Sequence, residues 1–123
     1  HLCHNYVNNC VAYTGTHDNV TIMGWLKSAD AKAAKMAKSY INANFLEHKN
    51  VSFIRSVYAS PAALAIIPMQ DILGIDGRGP STVGGNWTWR MKKPANKKSA
   101  RLMNKLTTAY LRKPSVTANA KDK

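Results

Sequence analysis

The chain holds only six acidic residues, so every carboxylate that could do chemistry can be weighed in turn. Asp30 and Glu47 fall in stretches with helical character, Asp76 in a glycine-rich loop and Asp122 in a basic tail. Asp18 and Asp71 differ, because each follows directly on a short apolar run. Val11-Ala-Tyr13 leads into Gly15-Thr16-His17-Asp18-Asn19, and Ala65-Ile-Ile-Pro68 leads into Met69-Gln70-Asp71. An apolar, β-branched run that breaks into polar residues reads as a buried strand delivering polar groups at its C-terminal end. In barrel enzymes that end carries the chemistry. Taken alone, His17 and Asp18 either close a turn or present hydrogen-bonding groups to a ligand. For Asp71 the residues favour a structural task, a helix-start cap or a hydrogen bond at a barrel rim, and Gln70 faces a groove or the same rim.

The elements that must position these residues follow from periodicity. Thr21 to Asn42 is a helical region, with Ser28-Ala-Asp30 capping a fresh helix. Ala31, Ala33, Ala34 and Ala37 favour helix intrinsically. Lys32, Lys35 and Lys38 share one flank, as expected of an outer helix with a solvated face. After Asn50, the residues Phe53, Ile54, Val57 and Tyr58 fall at the offsets of a buried helical stripe. Ser60-Pro61 predicts a short helix over Ala62, Ala63 and Leu64. Ser99 is expected to cap a last helix with Leu102, Met103, Leu106, Ala109 and Tyr110 on one face and Pro114 as its stop. The order strand, helices, strand is a βα repeat and predicts an α/β fold with a parallel sheet.

Composition bounds the partners. The 123 residues carry a net charge of +12, but eleven of the Lys and Arg residues lie from Arg90 onward, against Asp122 alone. The excess is thus a property of the C-terminal third, and residues 114–123 are expected to be a disordered basic tail. Cys3 and Cys10 are too few for a disulfide framework and fit no zinc spacing, so they read as free cytosolic thiols and place the chain in the cytoplasm. No apolar run approaches the roughly 20 residues of a membrane span, and no signal sequence precedes the first strand. A start at His1 rather than Met points to truncation upstream.

The segment Y-T-G-T-H-D-N at positions 13–19, with Thr21, Gly24 and Trp25, resembles the signature of the 4-α-glucanotransferases, or amylomaltases, glycoside hydrolase family 77 of the α-amylase clan. His4-Asn5-Tyr6 is similar to a family segment just upstream. S-P-A-x-L-A-I-I-P-M-Q-D-I-L-G at 60–74 resembles the segment forming the last barrel strand, and G-N-W-x-W-R at 85–90 resembles a C-terminal motif. The resemblance implies a C-terminal fragment of a (β/α)8 TIM barrel with its last two strands and flanking helices, spanning residues 1–113. A full barrel takes about 250 residues.

The activity so implied is transfer of α-1,4-glucan segments between maltodextrins or to glucose. Retaining glycosyl transfer uses two carboxyl groups about 5 Å apart. In the family, these nucleophile and acid/base residues come from earlier strands, upstream of this chain. Asp18 matches the third carboxylate, which stabilises the transition state, and His17 matches the histidine that grips the same sugar. Asn86 and Trp87 would line the glucan groove, the first by its two-sided amide and the second by its flat apolar face. Trp89, Tyr58 and Tyr110 read as core. No metal or organic cofactor is implied. The implied partners are a maltodextrin substrate and the remainder of the barrel, with nucleic acid disfavoured and no membrane.

Two departures stand out: Val20 replaces the family's usual Asp, and the loop 76–80 is shortened, so its acceptor-site role is not carried over. The alternatives are a non-catalytic basic fragment that binds glucan or nucleic acid, and an inactive truncated remnant. The isolated chain is expected to be inactive in disproportionation.

Overall fold

The computed structural model describes residues 2–16, 18–43, 45–75, 90–91 and 94–113. After a 3-10 turn at Cys3–Asn5 come β1 (Val11–Tyr13), α1 (Ile22–Ser28), α2 (Ala31–Tyr40), α3 (Lys49–Tyr58), β2 (Leu64–Ile66), α4 (Met69–Leu73) and α5 (Lys97–Ala109). The two strands pair in parallel, with Val11 opposite Leu64, Ala12 opposite Ala65 and Tyr13 opposite Ile66. The fold is mixed α/β, and the helices between the strands form the crossover that parallel pairing demands.

Local chemistry explains the helix starts. The Thr21 hydroxyl accepts from Gly24 N–H at 3.1 Å to open α1, and the Asp30 carboxylate accepts from Ala33 N–H at 2.9 Å to open α2. On α2 Ala34 alone is buried and Met36 is 68% exposed, as expected of an outer helix. The Tyr40 hydroxyl at its end meets His4, whose backbone N–H donates to it at 3.1 Å.

α3 is the element on which the rest packs. Val51, Ile54 and Tyr58 join Ile22 and Leu106 in one core cluster, and Ile54 is wholly enclosed. Val57, on the same helix, packs with Ala12 and Ala62 in a second cluster. Just before α3, Glu47 accepts from Arg55 at 2.9 Å and from the Ser52 hydroxyl at 2.6 Å. Burial alone would raise the Glu47 carboxyl, but these two donors outweigh it and hold the group below the ordinary carboxylate range. The same bond to Glu47 raises Arg55.

Four expectations change in detail. No helix forms over Ala62, Ala63 and Leu64, and Leu64 opens β2 instead. The Ser60 hydroxyl donates back to Val57 C=O at 2.6 Å, finishing α3 rather than starting a helix. Ala63 N–H donates to Asn8 C=O at 2.8 Å, which draws the chain alongside β1. The cap of α5 is Asn96, not Ser99, because the Asn96 side chain accepts from Ser99 N–H at 3.0 Å. Ala109 is exposed and leaves the stripe, which keeps Leu102, Met103, Leu106 and Tyr110.

The strands, finally, are buried on one face only. Ala12 and Ala65 point toward the helices, while Val11, Tyr13, Leu64 and Ile66 are 45%, 44%, 52% and 42% exposed. The basic tail at 114–123 and the loop at 76–80 lie outside the described residues.

Beyond α5 the chain turns at Leu111, whose φ is 52°. Arg112 then folds back onto the end of α3 and the approach to β2. Its guanidinium donates to the carbonyls of Tyr58 (2.8 Å), Ser60 (2.7 Å) and Ala62 (2.9 Å). It also lies 5.7 Å from the centre of the Tyr58 ring. Burial raises the Tyr58 phenol, with Arg112 opposing the shift.

Candidate functional site

Both strands end at one cleft of about 400 Å3. Tyr13 and Ile66, the last residues of β1 and β2 and a register pair, line it together. One wall comes from the segment after β1, including Gly15, Thr16 and Asn19, and the other from Gln70 and Asp71 on α4. The C-terminal ends of parallel strands are where ligands bind in α/β sheets, because the loops that leave them converge there.

The segment after β1 is held by its own side chains. The Asn19 carboxamide oxygen accepts from Thr16 N–H at 2.7 Å and from the Thr16 hydroxyl at 2.9 Å, while Asn19 N–H returns to Thr16 C=O at 3.1 Å. Asn19 thus does locally what a turn hydrogen bond does, a common role for Asn side chains. Gly15 lies under it, where an added Cβ would sit 3.4 Å from that of Asn19. Asp18 is exposed on this turn, next in sequence to Asn19.

Asp71 occupies the opposite situation. It is 3% exposed, and both carboxylate oxygens accept hydrogen bonds, from the Thr14 hydroxyl at 2.7 Å and from Ile22 N–H at 2.8 Å. Its backbone carbonyl accepts from the Asn50 side chain at 2.8 Å. Asn50 in turn lies against Gly74, whose φ of 63° closes α4 and where a Cβ would stand 3.2 Å from the Asn50 amide. Left-handed φ and this close approach both call for glycine.

Of the residues singled out from sequence, the structure therefore puts Asp18 on the turn that walls the cleft and Gln70 and Asp71 in its lining. His17, Asn86, Trp87 and Trp89 lie outside the described residues. Sequence reasoning missed Thr14, Asn50 and Arg112, whose roles depend on partners 21 to 57 positions away. Only Thr14 had a local signal, as the polar residue at which the first apolar run ends. Among the described residues no group of three or more His, Cys, Asp or Glu side chains is placed to hold a metal ion, and no helix is long and apolar enough to cross a membrane.

The cleft thus joins an apolar strand-end surface with one aromatic ring to the polar groups of Thr16, Asn19 and Gln70. The sequence profile of the 4-alpha-glucanotransferases matches residues 1–96. The 4-alpha-glucanotransferase of Clostridium butyricum is 43% identical over 97 residues, which cover 75% of this chain and 20% of that protein. The chloroplastic/amyloplastic 4-alpha-glucanotransferase of Arabidopsis thaliana is 42% identical over 95 residues, covering 74% and 16%. The structure of the amylomaltase from Streptococcus agalactiae in complex with acarbose superposes with a TM-score of 0.80 at 34% identity, over 89% of this chain and 23% of that one. The chain spans about a fifth of the length of these relatives. It belongs to the 4-alpha-glucanotransferase family, glycoside hydrolase family 77, and corresponds to a portion of its members.

Proposed function

We propose that this chain is the C-terminal part of a 4-α-glucanotransferase barrel, contributing the last two strands and one wall of a groove for maltodextrins. The observation that carries the reading is the cleft shared by the ends of β1 and β2, walled by the segment that bears Asp18. The acarbose bound to the Streptococcus agalactiae amylomaltase supports a glucan-type ligand.

The chemistry divides between this chain and the rest of the barrel. Retaining transfer requires a nucleophilic carboxylate and an acid/base carboxyl about 5 Å apart across the scissile bond. Asp71 fills neither role, since both its oxygens are engaged below the surface. As in the family this chain belongs to, the nucleophile and the acid/base would come from other strands. Asp18 is exposed on the turn whose neighbouring residues wall the cleft. There it hydrogen-bonds hydroxyls of the donor sugar and stabilises the oxocarbenium-like transition state, with His17 gripping the same sugar and Asn86 and Trp87 lining the groove. Tyr13 offers a ring to an apolar sugar face at the end of β1. An attraction that strengthens as positive charge develops lowers the barrier rather than the ground state.

The outward residues Val11, Tyr13, Leu64 and Ile66 then form part of the barrel interior, and the isolated chain lacks the groups that break the bond. The test is glucose release from maltotriose by the complete enzyme and by its Asp18→Asn variant. The reading stands if the first is active and the second has lost turnover.

A further inference from the structure

We infer that Asp71 is a positioning residue, whose buried carboxylate fixes both ends of the segment that carries Asp18; the catalytic consequence rests on the glucanotransferase reading above. One oxygen takes the Thr14 hydroxyl, directly after β1, and the other takes the N–H of Ile22, the first residue of α1. These donors stand at the two ends of the segment, so a single side chain sets the span between them. The Ile22 N–H has no partner within its own helix, because it lies in the first turn. Thr21, the cap of α1, bonds Gly24 instead, so Asp71 supplies the acceptor that Ile22 needs.

Asp71 is itself held. Asn50 on α3 is buried and donates to its backbone carbonyl. Gly74 closes α4 beside the Asn50 side chain, where a Cβ would stand only 3.2 Å from the Asn50 amide. A chain of contacts therefore runs from α3, the most enclosed helix, through Asn50 and Asp71 to Thr14 and Ile22. Inside that frame the Asn19 amide closes the turn on Thr16. The turn that carries Asp18 is thereby held in place, and a displacement of about 1 Å at such a residue costs on the order of a hundredfold in rate.

A direct role for Asp71 on substrate conflicts with the geometry. It has 3% exposure, and each oxygen already accepts a short hydrogen bond. Asparagine separates the two roles. Its amide oxygen accepts from Ile22 N–H while its NH2 donates to the Thr14 hydroxyl, which can act as acceptor. Asp71→Asn thus keeps the tether and removes the charge, whereas Asp71→Ala removes both.

Two readouts test the inference. In the 123-residue chain, amide hydrogen exchange at Ile22 is expected to be slow in wild type and in Asp71→Asn, and at least about tenfold faster in Asp71→Ala, with Ile54 on α3 reporting that the fold persists. Unchanged exchange at Ile22 in Asp71→Ala overturns the tether. In the complete enzyme, Asp71→Ala is expected to lower kcat at least about tenfold while KM stays within about threefold, and Asp71→Asn to recover most of the loss. Equal damage from Asn and Ala shows that the carboxylate itself acts on substrate and overturns the inference. If Asp71→Ala does not fold, Thr14→Val, which removes one of the two bonds without changing shape, is expected to lower kcat in the same direction with KM retained, and wild-type kcat in it contradicts the inference. Absence of glucan transfer by wild-type enzyme defeats the glucanotransferase reading instead, and the exchange measurement still decides the tether.

Discussion

Replacing Leu64 by Lys should have opposite consequences in the isolated chain and in the complete enzyme. Leu64 is 52% exposed on the open face of the sheet, beside Ile66 at 42% and opposite Val11 at 45%. Full burial of such a side chain is worth about 1.5–3 kcal/mol, so closing the exposed half adds about 1 kcal/mol per residue. Over Val11, Tyr13, Leu64 and Ile66 the gain is about 4 kcal/mol, comparable with the whole stability of a marginal domain. In the isolated chain a Lys stem can lie along the sheet with its ammonium in water, so Leu64→Lys should cost no more than about 1 kcal/mol. It should also raise solubility by interrupting an open apolar face. Inside a closed barrel the same ammonium is desolvated, and the penalty should reach several kcal/mol. Urea unfolding followed by far-UV circular dichroism measures both costs, and light scattering follows self-association. Equal costs in the two contexts would refute the reasoning, because this face would then remain open in the complete protein.

Substitutions at two further positions probe how the frame is held. Arg112→Ala removes three donors from the carbonyls of Tyr58, Ser60 and Ala62, and at about 1.5–3 kcal/mol per charged hydrogen bond, less what water recovers, the loss should be about 2–4 kcal/mol. Arg112→Lys should restore less than half, since an ammonium cannot reproduce the planar fork; a urea midpoint for the alanine variant equal to wild type would contradict this. Glu47 should give the fold an acid-sensitive increment. Its folded-state pKa is depressed, so the contribution is fully present above the unfolded value of about 4.3 and disappears as pH falls through the folded value. With a side chain 28% exposed, the increment should be no more than about 1 kcal/mol. Glu47→Gln keeps an acceptor for Ser52 and should be less stable than wild type at pH 7, with a gap that narrows as pH falls below the unfolded value; a gap that stays constant with pH would exclude Glu47 as the source.

What was legible in the sequence was local. The cap at Asp30 lies within three residues of the group it satisfies, and the stripe Phe53, Ile54, Val57 and Tyr58 needs only helical period to be seen. The helix read into residues 62–64 failed for the opposite reason. Ser-Pro is a genuine helix-start signal, but Asn8, more than fifty residues away, takes the Ala63 N–H, and pairing with β1 begins at the next residue. Asp71 was legible as a rim residue, yet not as the tie between Thr14 and Ile22, since neither donor is near it in sequence. The strands read as buried because their composition is that of a strand with both faces covered. The structure covers the alanine face alone, and the other four apolar side chains look outward. That mismatch agrees with a chain spanning about a fifth of its relatives.

The central claim is that Asp18 serves glucan transfer from the cleft at the strand ends. Steady-state disproportionation of maltotriose by the complete enzyme and its Asp18→Asn variant tests it most directly. Removing one preorganised electrostatic contact to a transition state lowers kcat by about a hundredfold or more, and the account predicts that loss with KM changed by no more than about threefold. The 123-residue chain alone should release no glucose. A variant with wild-type kcat, or glucose release by the isolated chain, would contradict the account.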